Sequence, residues 1–498
     1  MTADAGYILS IDQGTTGTTV LVVGAQGQVV DKAYSEFNQS YPKPGWVEHD
    51  PIEIWQTTQR LITQISHSNR QIVGIGITNQ RETTVVWDRQ TGQPVYPAIV
   101  WQCRRTADHC AKLKAEGNEE WVRQKTGLVL DPYFSATKIA WILDRVDPDR
   151  HRAENGDLAF GTIDTWLLWH LTGGAIHATD FTNASRTLLF DIDHLTWDTE
   201  LLQLFRVPKA LLPTVYPSRH HFGQTMGLNS LPDWIPIAGI AGDQQAALFG
   251  QLCTKQGMVK NTYGTGCFLL MQTGNQRIPS QSGLLTTLAC SSGTNADDVA
   301  YALEGSVFVA GAAVQWLRDE LQIIQTAAET EQISNSISDS GGVYVVPAFT
   351  GLGAPYWKTQ ARGAILNLTR GVGRKEVVRA TLESIAYQTV DVVYAMVADA
   401  NVSLDRLRVD GGAVANNFLM QFQADLLDTQ VERPTHIETT GLGAAYLAGL
   451  TVGLWDSVET LEKYRQIDRV FVPSMTAETR SQNLSGWRQA VDRVVLEN

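Results

Sequence analysis

Cysteine is scarce in this 498-residue sequence: Cys103, Cys110, Cys253, Cys267 and Cys290, odd in number and without close paired spacing. They form neither a zinc pattern nor a disulfide framework, and a reducing compartment, the cytoplasm, fits them best. Cationic charge is also short, with 39 Lys and Arg against 52 Asp and Glu, a net charge of −13. That balance argues against a nucleic-acid partner or an anionic membrane surface, though it leaves room for a local basic pocket. No apolar run reaches membrane-spanning length, and Met1–Gly6 lacks the basic and apolar regions of a signal peptide. No membrane insertion is expected. Three phosphate-binding signatures are missing as well: Gly-x-x-x-x-Gly-Lys-Ser/Thr, Gly-x-Gly-x-x-Gly opening a dinucleotide-binding unit, and the protein-kinase pair His-Arg-Asp and Asp-Phe-Gly.

What is present is an ordinary globular composition, 43% apolar and 18% charged, in a chain too long for one core. The stretch from Tyr7 to Val23 organises it. Two aliphatic runs, Tyr7–Ile11 and Thr18–Val23, flank a small polar turn with Gly14 and Gly17, which predicts a β-hairpin. Asp12 leaves the first strand, and Thr15, Thr16, Thr18 and Thr19 crowd beside it. Glycines let backbone approach a ligand, and successive N–H groups with hydroxyls make a concave anion site. A hairpin with merely Thr-rich edges is the plainer alternative.

A turn at Gly24–Gly27 and a strand over Gln28–Ala33 complete an opening meander. Apolar spacing predicts a helix over Ile52–Ile65, and the continuous run Ile72–Ile77 predicts a buried strand that delivers Thr78–Thr84 at its carboxyl end. Further helices are expected over 104–125, 135–146 and Asp164–Leu171, with short strands at Val85–Asp88 and Leu158–Ile163. Residues 191–236 read as loops and short helices. Ile235–Asp243 repeats the earlier logic, an apolar strand ending in a lone carboxylate, before a helix over Gln244–Phe249. Near residue 250 the pattern restarts: Val259–Tyr263, a Gly264-Thr-Gly266 tip and Cys267–Gln272 form a second hairpin. This echo implies two related α/β domains, 1–248 and 249–498, meeting at a compact hinge. Glu376–Ala398 is the longest expected helix, and Thr439–Ala445 opens a small-residue helix able to pack closely on its neighbours.

Four glycine-rich loops follow expected strands: Gly14–Gly17, Gly264–Gly266, Gly411-Gly412 and Gly441–Gly443. Hairpin tips and helix N-termini facing each other across a cleft would cradle a polyphosphate. The opening Ile11-Asp-Gln-Gly-Thr-Thr16, the Thr262-Tyr-Gly-Thr-Gly266 loop and Asp410-Gly-Gly-Ala413 resemble the actin-like ATPase superfamily and, within it, the FGGY carbohydrate kinases. Ile77–Asp88, Ala98–Thr106 and Val409–Asn417 are similar to the glycerol-phosphorylating branch of that family, and the likeness runs from about residue 7 to about residue 490.

The resemblance implies an α/β fold of two related actin-like, ribonuclease H-like domains around an interdomain cleft. It implies transfer of phosphate from ATP, with Mg²⁺, to glycerol, giving sn-glycerol 3-phosphate in glycerol uptake and catabolism. Position by position, Arg81 and Glu82 would bind adjacent hydroxyls, and Asp243 would take the proton from the attacking hydroxyl, with Gln244 beside it. Trp101, Tyr133 and Phe268 would wall the carbon backbone. Thr15, Thr16, Gly17 and Thr265 would hold phosphates; Gly311, Gln315, Gly412 and Asn416 would face the adenosine; Asp12 would position Mg²⁺. A small polyol offers only alternating donors and acceptors, so charged partners matched hydroxyl by hydroxyl and closed by apolar faces suit it. The plainer alternatives are a solvated Arg81-Glu82 pair, core aromatics at Trp101 and Tyr133, and Asp243 as a helix cap. The expected assembly is a homo-oligomer, a dimer or tetramer. Rival functions are a kinase for another polyol or ketose, and an actin-like ATP-binding protein without phosphotransfer.

Three positions depart from the family pattern: Thr19 stands where a cationic phosphate partner is common, Arg145 where a polar uncharged or acidic residue is usual, and Asn367 where glycine is usual. Phe222–Trp234, the region in which regulated bacterial members carry an Arg-containing loop for fructose 1,6-bisphosphate, has no Lys or Arg. A bisphosphate needs cationic partners, so this inhibitor is expected to act weakly or not at all.

Overall fold

Two mixed sheets of matching topology carry the chain, in a computed structural model that describes residues 6–66, 70–295, 298–358 and 360–496. The first contains β1 (Tyr7–Gln13), β2 (Gly17–Val23), β3 (Val29–Glu36), β4 (Ile72–Asn79), β5 (Arg219–Gln224) and β6 (Pro236–Gly242) in the order β3-β2-β1-β4-β6-β5. Its pairings run antiparallel, antiparallel, parallel, parallel, antiparallel. The second contains β7 (Val259–Tyr263), β8 (Cys267–Gly274), β9 (Leu285–Ala289), β10 (Ala300–Val307), β11 (Arg406–Asp410), β12 (Gln430–Pro434) and β13 (Ile467–Phe471). From β10 the order is β10-β8-β7-β11-β12-β13, with the same succession of pairings, and β9 is added outside β10. The sequence echo at the two hairpins is therefore an echo of whole sheets. The expected two-domain α/β architecture is what the chain adopts.

Alternation explains both faces of the first sheet. Leu9, Ile11, Val20 and Val22 point to one side and are covered by helix α1 (Pro51–Ser66). Between β4 and β5 the chain adds helix α2 (Ser135–Val146), which has a core of its own around Phe134 and Ile139, and helix α3 (Ile163–Leu171), which joins α1 on that face. Ile8, Leu21 and Val23 point to the other side. That side is covered by helix α4 (Asp243–Gly250) and by a helix from the other end of the chain. In the second half α5 (Gly311–Asp319), α6 (Arg374–Ala400) and α7 (Asn417–Leu427) share a core with β7, β8 and β11. Helix α8 (Thr439–Val452) leaves them and packs on β1, β4 and β6 of the first sheet.

α4 follows β6 as α8 follows β12, so the two helices occupy equivalent places in the two halves, and they pack on each other. The contact is reciprocal. A Cβ on Gly443 would meet the Ala246 carbonyl oxygen at 1.9 Å, and one on Gly250 would meet the Thr439 carbonyl oxygen at 2.0 Å. Only glycine permits backbones this close.

Several expected boundaries shift. The helix expected over 104–125 is two, Ala107–Ala115 and Glu119–Thr126, because Gly117 turns the chain with φ +81° between them. The strand expected to reach Ile163 stops at Gly161, and an extended Thr162 lets α3 begin at Ile163. Within the expected loop region 191–236 lie a short helix, Thr199–Phe205, and the edge strand β5. All five cysteines are free and buried. Among the described residues no helix is long and apolar enough to cross a membrane.

Candidate active site

The carboxyl ends of the parallel core strands β1, β4 and β6 deliver Asp12, Arg81-Glu82 and Asp243 to one place. β4 is apolar and buried to its end, so the charges that follow it cannot reach bulk water: Arg81 is 2% exposed and Glu82 1%. The solvated-pair alternative is thereby excluded. Glu82 sits at φ +60°, in the left-handed region, and its carbonyl is held by the hydroxyls of Ser135 (3.0 Å) and Thr84 (3.1 Å). A bulky residue at that φ is strained, and the surrounding hydrogen bonds hold it there.

These charges belong to a larger buried set. Arg81 Nη1 and Nη2 donate to the two carboxylate oxygens of Glu304 at 2.6 and 2.9 Å. Arg186 Nε donates to Glu82 Oε1 at 2.6 Å, and its Nη2 to Glu304 Oε1 at 2.9 Å. Direct contact between Arg81 and Glu82 is the weakest of the set, at 3.7 Å. Arg81 Nε approaches Asp243 Oδ1 at 3.2 Å, Nη1 also donates to Gln245 at 3.1 Å, and Nη2 reaches Tyr133 Oη at 3.4 Å. Burial alone would raise the Glu304 carboxyl, but the guanidiniums of Arg186 and Arg81 outweigh it and hold the group at about 2. For Glu82 burial wins over Arg186 and Arg81, and its carboxyl is raised. Asp243 is the exception in exposure, with its side chain 29% accessible.

Asp243 is the first residue of α4, with Gly242 at the cap position, and its Oδ1 accepts from the Gln244 N–H at 2.7 Å. The Gly242 N–H donates to the Thr182 hydroxyl at 2.8 Å, and Thr182 in turn donates to buried Asp180 at 2.7 Å. This chain of bonds fixes the strand end from which Asp243 projects. Gln244 is buried, and its Oε1 accepts from Lys260 Nζ at 2.5 Å. Lys260 also donates to Thr262 Oγ1 (2.8 Å) and the Phe268 carbonyl (3.3 Å), and burial lowers its pKa.

Three aromatic rings close the same space. Trp101 lies 5.4 Å from Tyr133 and 6.5 Å from Phe268 between ring centroids, at interplanar angles of 66° and 83°. All three are only partly buried, unlike ordinary core aromatics. The Lys138 amine donates to the carbonyls of Pro132, Tyr133 and Phe134, pinning the loop that carries Tyr133, and burial lowers it to about 8. Trp101 Nε1 donates to Thr15 Oγ1 at 2.9 Å, which ties this wall to the first hairpin.

The two hairpin tips are closed alike, Gly14 N–H to Gly17 carbonyl and Gly264 N–H to Gly266 carbonyl, both at 2.9 Å. Thr15 and Thr16 stand at the first tip and Thr265 at the second, with Thr16 and Thr265 exposed. The second tip is drawn onto α5 by bonds from the N–H groups of Gly311 (3.0 Å, to Gly264) and Ala312 (3.1 Å, to Thr265). Beyond it lies a cavity of about 420 Å³ whose lining includes Thr265, Gly311, Gln315, Gly412 and Asn416. Gly411 precedes the lining residue Gly412 at φ +88°, and a Cβ there would meet the Tyr263 carbonyl oxygen at 2.5 Å. Asn416 caps α7, accepting from the Leu419 N–H at 3.0 Å.

Asp12 is the acidic group between the two regions. Burial, Asp243 and Glu438 push its carboxyl up to about 8, and Lys32 opposes them. Lys32 is the first cation in the chain after Tyr7 and pairs with Glu438. Among the described residues no group of three or more His, Cys, Asp or Glu forms a metal cage. A carboxylate with surplus negative charge beside a phosphate cradle fits Mg²⁺, which keeps its waters and leans on one or two carboxylates plus phosphate oxygens.

The sequence reading missed Glu304, Arg186, Lys260 and Lys138. Glu304 is a charge inside an otherwise apolar stretch, Tyr301-Ala-Leu-Glu-Gly305, and that contrast was the available signal; Arg186 and Lys260 have polar neighbours and carried none.

The family model for the N-terminal domain of the FGGY family of carbohydrate kinases matches residues 7–250, and the C-terminal domain model matches residues 259–452. The chain is 56% identical over 493 residues to a glycerol kinase of Salmonella paratyphi B, covering 98% of each. It superposes on the crystal structure of Plasmodium falciparum glycerol kinase with ADP with a TM-score of 0.94, at 39% identity, covering 99% of this chain and 98% of that one. A ligand-bound xylulose kinase from Lactobacillus acidophilus shares the fold, with a TM-score of 0.87 at 21% identity over 98% of each chain.

Proposed function

The chain belongs to the FGGY family of carbohydrate kinases, and from that premise we propose that it transfers the terminal phosphoryl group of ATP to glycerol, giving sn-glycerol 3-phosphate and ADP. The observation that carries the reading is the half-open carboxylate of Asp243 at the edge of a buried charge set, beside three aromatic rings and between two phosphate-cradling hairpins. The 56% identity to a glycerol kinase directs the choice of polyol.

Glycerol lies against Trp101, Tyr133 and Phe268, with Glu82 accepting from one hydroxyl and Arg81 donating to its neighbour. Arg81 has its five N–H groups aimed at protein acceptors, so a hydroxyl takes over its longest bond, the one to Tyr133. Asp243 accepts the proton of the attacking hydroxyl as the new O–P bond forms, the bond to the β-phosphate oxygen breaks and ADP leaves. Thr15, Thr16, Gly17 and Thr265 hold the phosphates from both sides; Gly311, Gln315, Gly412 and Asn416 line the adenosine side. Asp12 would hold Mg²⁺, whose chemistry there would be neutralisation of charge on the phosphates. Phosphoryl transfer passes through a loose transition state, so alignment and charge neutralisation supply most of the catalysis. Closure about a hinge near residue 248 keeps water from the phosphoryl group. The proposed setting is the cytoplasm, in glycerol uptake and catabolism, as a homo-oligomer.

The test is ADP release by purified protein with Mg·ATP, with glycerol, xylulose, ribulose, erythritol or no addition. Large stimulation by glycerol alone, with sn-glycerol 3-phosphate as product, is expected. Stimulation by a different polyol would overturn the substrate, and indifference to all of them would favour an actin-like ATPase.

A further inference from the structure

Glu304 is the one carboxylate that the second sheet contributes to the charge set at the polyol pocket. It projects from β10, whereas Arg81, Glu82, Arg186 and Asp243 all come from the first half of the chain. It is fully buried, 0% exposed, and both oxygens are engaged by guanidiniums. A two-point grip of this kind fixes a guanidinium in plane as well as in place. With one N–H of each of Nη1 and Nη2 held by Glu304, their second N–H groups reach Gln245 and Tyr133, and the N–H on Nε is turned toward Asp243.

The charge count points the same way. Arg81, Arg186 and Lys260 carry three positive charges, and Glu82, Asp243 and Glu304 three negative ones. The set is balanced only with Glu304 in it. Without that carboxylate the pocket gains one buried positive charge next to the place where the substrate lies. Such a charge is costly alone and is relieved by an anionic ligand.

We propose that Glu304 is a positioning residue of the polyol pocket, reaching across from the second half to aim Arg81 and to keep the pocket neutral, so that uncharged polyols bind and carboxylates do not. This rests on the polyol-kinase reading above. It goes further by making the pocket's selectivity the property of a residue outside the half that holds the substrate. The seam around Glu304 has another bond, Tyr301 Oη to the Ile192 carbonyl (2.9 Å), which joins the halves from the same strand β10 and touches neither Arg81 nor Arg186. A merely structural role is therefore separable from a positioning one.

The experiment is steady-state kinetics of Glu304→Gln, with Tyr301→Phe as the seam control, and glycerate as the carboxylate probe. Glu304→Gln is expected to raise KM for glycerol by at least about tenfold while KM for ATP stays within about twofold, because an aimed charged partner is lost only on the polyol side. Glycerate, without effect on the natural protein, is expected to become a competitive inhibitor against glycerol. Tyr301→Phe is expected to lower melting temperature without moving either KM. A folded Glu304→Gln with natural KM for glycerol and no inhibition by glycerate overturns the proposal. If that variant does not fold, Glu304→Asp keeps the charge but shortens the reach. It is then expected to raise KM for glycerol without admitting glycerate, and natural kinetics in it overturn the proposal equally. Natural protein that glycerol does not stimulate would instead overturn the polyol reading on which this rests.

Discussion

The two halves share one topology and use it for opposite chemistry. In the first, the ends of β1, β4 and β6 carry Asp12, Arg81-Glu82 and Asp243, charged groups set in a dry wall. In the second, the equivalent ends of β7 and β11 carry Gly264, Thr265, Gly411 and Gly412, and backbone itself lines the cavity. A small polyol must be oriented hydroxyl by hydroxyl, which takes side-chain charge. A nucleotide brings its own charge and asks for close backbone approach and a flat-walled space. On the proposed function the same strand ends serve both needs, because the fold fixes where a residue projects and leaves its type free.

If that division holds, substitutions at one set of strand ends should spare the other ligand. The largest effect is expected from Asp243→Asn, with turnover reduced ~10²–10⁴-fold as for loss of a general base, and Mg·ADP affinity by calorimetry unchanged. Near-normal turnover would break the assignment. Acid titration tests the buried charge set that Glu304 joins from the second half. Because Glu304 is held at about 2 in the folded chain, its contribution is complete above the ordinary carboxylate range and is lost as pH falls from about 4.5 toward 2. The expected loss is roughly 3 kcal/mol, read from denaturant melts across that window, and Glu304→Gln should flatten the slope. In the second half, Gly411→Ala forces a side chain to φ +88° against the Tyr263 carbonyl. About 1–3 kcal/mol of strain is expected, with KM for ATP raised and KM for glycerol little moved. Equal changes in both constants would show the halves to be coupled at this loop. A smaller effect is expected from Thr19→Arg, which places a cation opposite Asp12 in a hairpin without Lys or Arg from Tyr7 through Val23. Mg·ADP binding should tighten by about 0.3–1 kcal/mol, more at low salt. The smallest is no effect at all: fructose 1,6-bisphosphate at millimolar concentration should leave turnover unchanged, since Phe222–Trp234 offers it no cation.

How much of this was legible in the sequence follows the range of the interaction that fixes each feature. β1, β2, β4, β6 and α2 are set by local alternation or helical spacing, and their sequences state them plainly. The break at Gly117 was hidden because the apolar spacing of 104–125 runs on through a single turn. Trp101, Tyr133 and Phe268 are far apart in the chain and were grouped only through the family resemblance; the structure brings their rings together. Arg81-Glu82 reads in sequence as one pair. In the fold each member takes a different partner, Glu304 and Arg186, more than 100 positions away. No periodicity reports such a pairing. A charge standing inside an apolar strand does, and Glu304 in β10 was such a charge.

The reciprocal glycine contact between α4 and α8 also bears on how the protein is made. The ribosome releases Gly250 roughly 190 residues before Thr439, a delay of about 10–40 s at ~5–20 residues per second. Through that interval the face of Ile8, Leu21 and Val23 lacks the helix that finally covers it. The amino-terminal half therefore finishes folding only after nearly the whole polypeptide has emerged. A nascent chain halted before residue 439 should hold chaperones that the full-length chain has already released.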